Sequence, residues 1–145
     1  MAFRTLNESI ALEPLRSGAE SRSYVAEEAI KQGQMVKKGG TNSDEVEPSD
    51  TDGERVVGIA AYDAAAGDTV LVIEDGIRVR ATSGTGSIAA GEPVASHGGT
   101  GEEGEVATAA SGDYVIGVAY EDDDGDGGDV EIAISPEGFA STNPV

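Results

Sequence analysis

Cysteine and tryptophan are absent from the 145 residues, and only three lysines occur, Lys31, Lys37 and Lys38. Without cysteine the chain has no disulfide, no thiolate nucleophile and no cysteine-ligated zinc site. Lys and Arg together number 9 against 28 Asp and Glu, a formal net charge of −19. Binding to a nucleic-acid backbone is driven by cations that displace counterions from phosphates, so this balance excludes DNA or RNA binding as a main activity. It argues equally against an anionic membrane surface. No apolar run approaches the roughly 18 to 20 residues that span a bilayer. The segment Met1–Glu8 has no apolar stretch of the length a secretory signal needs and carries a charge at Glu8, so the expected compartment is the cytoplasm. Aromatic residues make up 4% of the chain, which leaves little to line a sugar-binding cleft.

What is present is glycine, 21 residues of it, with Val, Ile, Leu and Ala gathered into short runs between Gly, Asp and Pro. That is how an all-β domain with many tight turns is written. The predicted fold is a small β-barrel or sandwich with an internal pseudo-repeat, preceded by an extended N-terminal arm. Acid-rich, lysine-poor surfaces repel themselves at low salt and are tolerated where molar salt screens charge to a few ångströms. A halophilic source accounts for that composition.

Charge is divided along the chain. Residues 1–43 carry six basic against five acidic residues, a net of +1, whereas residues 44–145 carry three against 23, a net of −20. The near-neutral segment contains Phe3, Arg4, Leu6, Ile10, Leu12, Leu15, Arg16 and Arg22, which suit contact with another protein. We read 1–21 as an arm, 22–136 as a single β domain of two related halves (about 22–76 and 77–136), and 137–145 as a C-terminal tail.

The halves are related by four blocks in the same order. Ile30-Lys-Gln-Gly33-Gln-Met-Val36 matches Ile88-Ala-Ala-Gly91-Glu-Pro-Val94, and Gly39-Gly40-Thr41 matches Gly98-Gly99-Thr100. Val56-Val-Gly58-Ile-Ala60 matches Val115-Ile-Gly117-Val-Ala119, and Gly67–Ile73 matches Gly128–Ile134 at an offset of 61. The first block predicts a turn whose glycine takes positive φ, and the third a buried strand whose glycine lets another backbone approach closely. Ile77-Arg-Val-Arg-Ala81 is expected to return from a Glu74-Asp75-Gly76 turn as the second strand of a hairpin. No segment is firmly helical. Each copy alone is too small for a stable core, so the two are expected to merge.

Residues that could carry chemistry are few. His97 is the only histidine and the only base near neutrality that a nucleophile triad could use, but a turn histidine is ordinarily solvated and the first copy has no counterpart. Gly99-Thr-Gly101-Glu-Glu-Gly104 fits G-x-G-x-x-G, yet it holds two carboxylates and no helix follows, so it is a loop and not a dinucleotide site. Gly33–Gly39 is similar to half of a lipoyl or biotinyl carrier hairpin but lacks the tripeptide around the modified lysine. The run Glu121–Asp129 is the one metal candidate, through Asp122, Asp124, Asp126 and Asp129. Its first half matches a calcium loop, whereas the twelfth position, where a bidentate glutamate belongs, is Ala133. The solvated-turn reading is therefore favoured, and neither a cofactor nor a catalytic residue is assigned.

The string Ile88-Ala-Ala-Gly-Glu-Pro-Val94, the Gly-Gly turn, Val115-Ile-Gly-Val-Ala119, and Val57-Gly-Ile-Ala-Ala-Tyr-Asp-Ala-Ala-Ala-Gly-Asp-Thr-Val-Leu-Val72 followed by Glu-Asp-Gly resembles the head decoration or structural cement proteins of tailed viruses, over about residues 22–135. The resemblance implies a small β-barrel or sandwich on the outer capsid surface. Its partner would be the major capsid protein, whose capsomers it holds together, and it would self-associate as a homotrimer. It implies no enzyme activity and no cofactor. The acidity is similar to that of a virus of a halophilic archaeon, with assembly in the host cytoplasm. Two other readings stand beside it, a calcium-dependent extracellular or surface β binding module using the 121–129 loop, and a tail or turret component of the virion.

Overall fold

Short β-branched runs set off by glycine turns form nine strands in the computed structural model, which describes residues 20–134 apart from Thr85, Asp126 and the side chain of Ile77. They are β1 (Glu20–Ala26), β2 (Met35–Lys38), β3 (Glu45–Pro48), β4 (Gly58–Ala60), β5 (Thr69–Thr82), β6 (Pro93–His97), β7 (Glu105–Thr108), β8 (Gly117–Ala119) and β9 (Asp129–Ile134). No helix occurs among the described residues. The expected arm and C-terminal tail lie outside them, except for the residues of β1.

The strand order is β1-β3-β2-β4-β5-β9-β8-β6-β7, and β1 also pairs with β5. That extra pairing closes β1, β3, β2, β4 and the first part of β5 into a five-stranded barrel, so no edge of this ring is left unpaired. The second half repeats the path. The last part of β5 pairs with β9, then follow β8, β6 and β7, and the parallel bridge Ser83↔Val106 joins the end of β5 to β7. This bridge is the counterpart of Ala26↔Val46 between β1 and β3.

The repetition extends to single hydrogen bonds. Gly33 and Gly91 take φ of 91° and 89°, and their N–H groups donate to Ala60 and Ala119 at 2.9 and 2.8 Å. Lys31 N–H donates to Gln34 Oε1 at 2.8 Å, and Ala89 N–H donates to Glu92 Oε1 at 2.7 Å. Both copies of the Ile-x-x-Gly turn are thus closed by the side chain of the residue after the glycine, Gln34 or Glu92, and the positive φ at Gly33 and Gly91 explains the glycine.

The largest buried cluster draws on both halves, with Met35, Ile59 and Ile73 packing among Val79, Ile88, Val94, Val106, Ile116 and Ile132. A second cluster of Tyr24, Ile30, Val36, Val46, Val70 and Val72 belongs to the first half. Apolar area is removed from water twice, inside a barrel and between halves, which suits a chain with so few aromatics.

Two local expectations are corrected. Glu74-Asp75-Gly76 is no hairpin turn, because β5 runs unbroken from Thr69 to Thr82. The turn signal is absorbed as a register shift between Gly76 and Val79, with Arg78 at φ 60°. β1 and β4 flank the first part of β5 and β9 flanks the last, and these long-range pairings outweigh the local turn preference. The fourth block aligns at an offset of 60 and not 61, since Val70 and Val72 point inward as Val130 and Ile132 do. A one-residue slip would have put Glu131 where Val70 is buried.

Candidate functional site

Four of the seven lysine and arginine residues in the described region, Arg22, Lys37, Lys38 and Arg55, line one open groove of about 470 Å³. β1 contributes Arg22 and Tyr24, β2 contributes Lys37 and Lys38, and the loop before β4 contributes Arg55. Tyr114 of the second half also lines it, with the Arg55 guanidinium 5.3 Å from the centre of its ring, and so do the carboxylates of Glu20, Glu74 and Asp75. Four cations against three carboxylates leave this lining slightly positive in a chain of net charge −19.

The four cations are not equally committed. Lys37 Nζ lies 2.6 Å from Asp50, 3.4 Å from Glu54 and 3.8 Å from Glu47. Burial alone would lower the Lys37 pKa, but the bond to Asp50 and the charges of Glu54 and Asp50 outweigh it and hold the ammonium above its usual value. The same bond holds Asp50 below the ordinary carboxylate value, whereas Glu47 is pushed up by burial despite Lys37. Arg22 reaches Glu74 only at 3.9 Å. Lys38 is exposed, and neither it nor Arg55 has a carboxylate within ion-pair distance among the described residues. These two carry the charge available to a partner.

Tyr24 forms the floor, 8% exposed, and its hydroxyl donates to Glu74 Oε2. Burial, the bond to Glu74 and the Glu74 charge push its phenol up to about 12 from 10.0. The folded value lies above the unfolded one, so the stabilisation is complete below pH 10 and is lost as pH rises towards about 12. Phenolate absorbance should show one late ionisation near 12 that Tyr24→Phe removes, and the denaturation midpoint should fall less steeply with pH in that variant.

Of the sequence candidates for partner contact, Phe3, Arg4, Leu6, Ile10, Leu12, Leu15 and Arg16 lie outside the described residues, and Arg22 lies on the groove. The acidic loop is engaged internally. Asp122 accepts the Ala90 N–H at 2.8 Å as Asp63 accepts that of Gln32 in the first half, and Asp129 is ion-paired with Arg80. Asp124 is exposed, and Asp126 lies outside the described residues. Of the described candidates, Asp122 is thus engaged in the turn and Asp129 with Arg80. His97 faces carboxylates on both sides, Asp52 at 3.3 Å from Nδ1 and Glu102 at 3.4 Å from Nε2. The G-x-G-x-x-G segment is the turn between β6 and β7.

The groove was not foreseen from the sequence, which ties Arg55 and Tyr114 to no motif. Its only signal was the concentration of Lys and Arg before residue 44.

Residues 16–134 match the phage cement protein family. The chain belongs to that family. It is accordingly a structural, capsid-associated protein of the virion. The fold of this cement protein is similar to that of the N base of the head fiber gp8.5 of bacteriophage phi29, with a TM-score of 0.60 at 16% identity over 81% of this chain and 95% of that one. No curated protein matches the cement protein in sequence.

Proposed function

We propose that this cement protein decorates the outside of an icosahedral capsid and stabilises contacts between capsomers, with the groove and the segment entering it at Glu20 turned towards the shell. The observation that carries the reading is the placement of Arg22, Lys38 and Arg55 around the start of β1, within a body that is otherwise strongly acidic. The occupant we assign to the groove is a carboxylate-bearing segment of the major capsid protein, with guanidinium and ammonium groups giving orientation and on-rate. The acidic surface then faces salt water. Self-association as a homotrimer fits a binder that gains strength from several weak contacts per assembly.

The direct test is co-sedimentation of the purified protein with undecorated shells at molar salt. Near-stoichiometric recovery with the shell protein is expected. Recovery only with tails or turrets would refute the capsid assignment.

The acidic surface also sets a dependence on salt. The melting temperature should climb as KCl or NaCl is raised into the molar range, and calcium should add nothing at fixed ionic strength, because the shielded interaction is general repulsion and not a calcium loop. A calcium-specific rise would favour a metal-dependent binding module.

A further inference from the structure

At the end of the β6–β7 hairpin, His97 and Glu105 are cross-strand partners, so their side chains stand side by side on one face. Glu102 in the connecting turn brings a second carboxylate, 3.4 Å from His97 Nε2. One donor atom from each of the three lies within 4.8 Å of the others, and all three residues are half-buried.

A second observation concerns Glu105 itself. Its Oε1 is shielded from solvent and accepts no hydrogen bond. A buried carboxylate oxygen without a donor is costly, and native proteins rarely leave one so. Gly84 keeps the space open, since a Cβ there would lie 2.4 Å from Glu105 Oε1. The corner brings three carboxylates, Asp52, Glu102 and Glu105, to one imidazole. A cation held in common would give that oxygen a partner.

We propose that His97, Glu102 and Glu105 bind a divalent transition-metal cation of the zinc type, with Asp52 orienting the imidazole through Nδ1. Donors about 2.0 to 2.2 Å from a tetrahedral ion stand about 3.4 Å apart, which is the His97 Nε2 to Glu102 Oε2 separation. A nitrogen donor with two carboxylates suits zinc better than calcium or magnesium, which take oxygen. The Asp52 carboxylate 3.3 Å from Nδ1 fixes the ring as outer carboxylates do for zinc-bound histidines, and Asp52 is itself held by the Gly98 N–H at 2.9 Å. Asp52 belongs to the first half, so the ion would tie the β6–β7 hairpin and, through Asp52, the two halves. The matching corner of the first half pairs Gly39 with Glu45 and has no imidazole, so one ion per chain is expected.

The test uses the full chain at fixed ionic strength in a weakly complexing salt, with Zn²⁺, Mg²⁺ and Ca²⁺ as probes. Calorimetry should find one Zn²⁺ per chain. At a hundredfold excess over the dissociation constant the melting temperature should rise by about 5 to 10 °C. Magnesium and calcium should give no such rise. His97→Ala and Glu105→Gln should both abolish binding. Glu105→Gln keeps the side-chain shape, so strand circular dichroism can verify its fold, and Asp122→Asn should bind as the unaltered protein does. Failure of the unaltered protein to bind zinc at one per chain overturns the proposal. So does binding that survives in Glu105→Gln, or an equal response to all three cations.

Discussion

Gly117→Ala should destabilise the cement protein by about 3 kcal/mol or more, enough to leave much of it unfolded or aggregated. A Cβ at Gly117 would lie 1.8 Å from the Ala133 carbonyl oxygen and 2.9 Å from its carbon, both backbone atoms of β9 that no rotamer change can move. Gly117 is in register with Ile134 in the β8–β9 ladder, so relief requires the strands to part in the middle of the core. Gly58 is its repeat partner, where a Cβ would lie 2.3 Å from the Ile73 carbonyl oxygen, and Gly58→Ala should fail in the same way. Gly40→Ala is the control, because a Cβ there meets nothing within 4 Å, and its effect should stay within about 0.5 kcal/mol. Urea midpoints at constant molar salt measure all three. A Gly117→Ala midpoint equal to that of Gly40→Ala would mean that β8 does not approach β9 as described.

These two glycines also show what the sequence makes legible. Val-x-Gly-x-Ala reads as a buried strand with a close neighbour because the residue types leave no other use for glycine among β-branched residues. The Ile-x-x-Gly turns are equally readable, since the φ requirement is local. β3 and β7 are not, because Glu45–Pro48 and Glu105–Thr108 hold a single large apolar residue each, Val46 and Val106, and become strands only when β2 and β6 supply the ladder. The unbroken β5 is hidden for the opposite reason. Its turn-like Glu-Asp-Gly is overruled by partners distant in sequence. Surface sites fare worst, as Arg55 and Tyr114 meet across the halves, and so do Asp52 and His97. No local pattern encodes those meetings.

Deleting residues 1–19 should leave the β domain folded while reducing capsid binding at least a hundredfold. The cut stops short of β1, whose register with β5 begins at Glu20, and therefore spares every strand pairing of the described region. Circular dichroism and the melting temperature should hence stay close to those of the full chain. Binding should collapse because Phe3, Leu6, Ile10, Leu12 and Leu15 offer apolar area, whereas among the described residues Tyr120 is the one exposed large apolar side chain. Each such side chain contributes about 1.5 to 3 kcal/mol when fully buried, before the cost of ordering the segment. A net loss of about 3 kcal/mol already corresponds to a hundredfold weaker affinity, and in a trimer the loss would compound across subunits. Lys38→Glu with Arg55→Glu separates the groove from the arm. That pair should weaken binding more at low than at high salt, as expected of exposed charges, whereas the deletion should act at every salt concentration. If the truncated protein still occupies shells fully, the shell contact lies elsewhere on the barrel, and the charge division along the chain does not mark it.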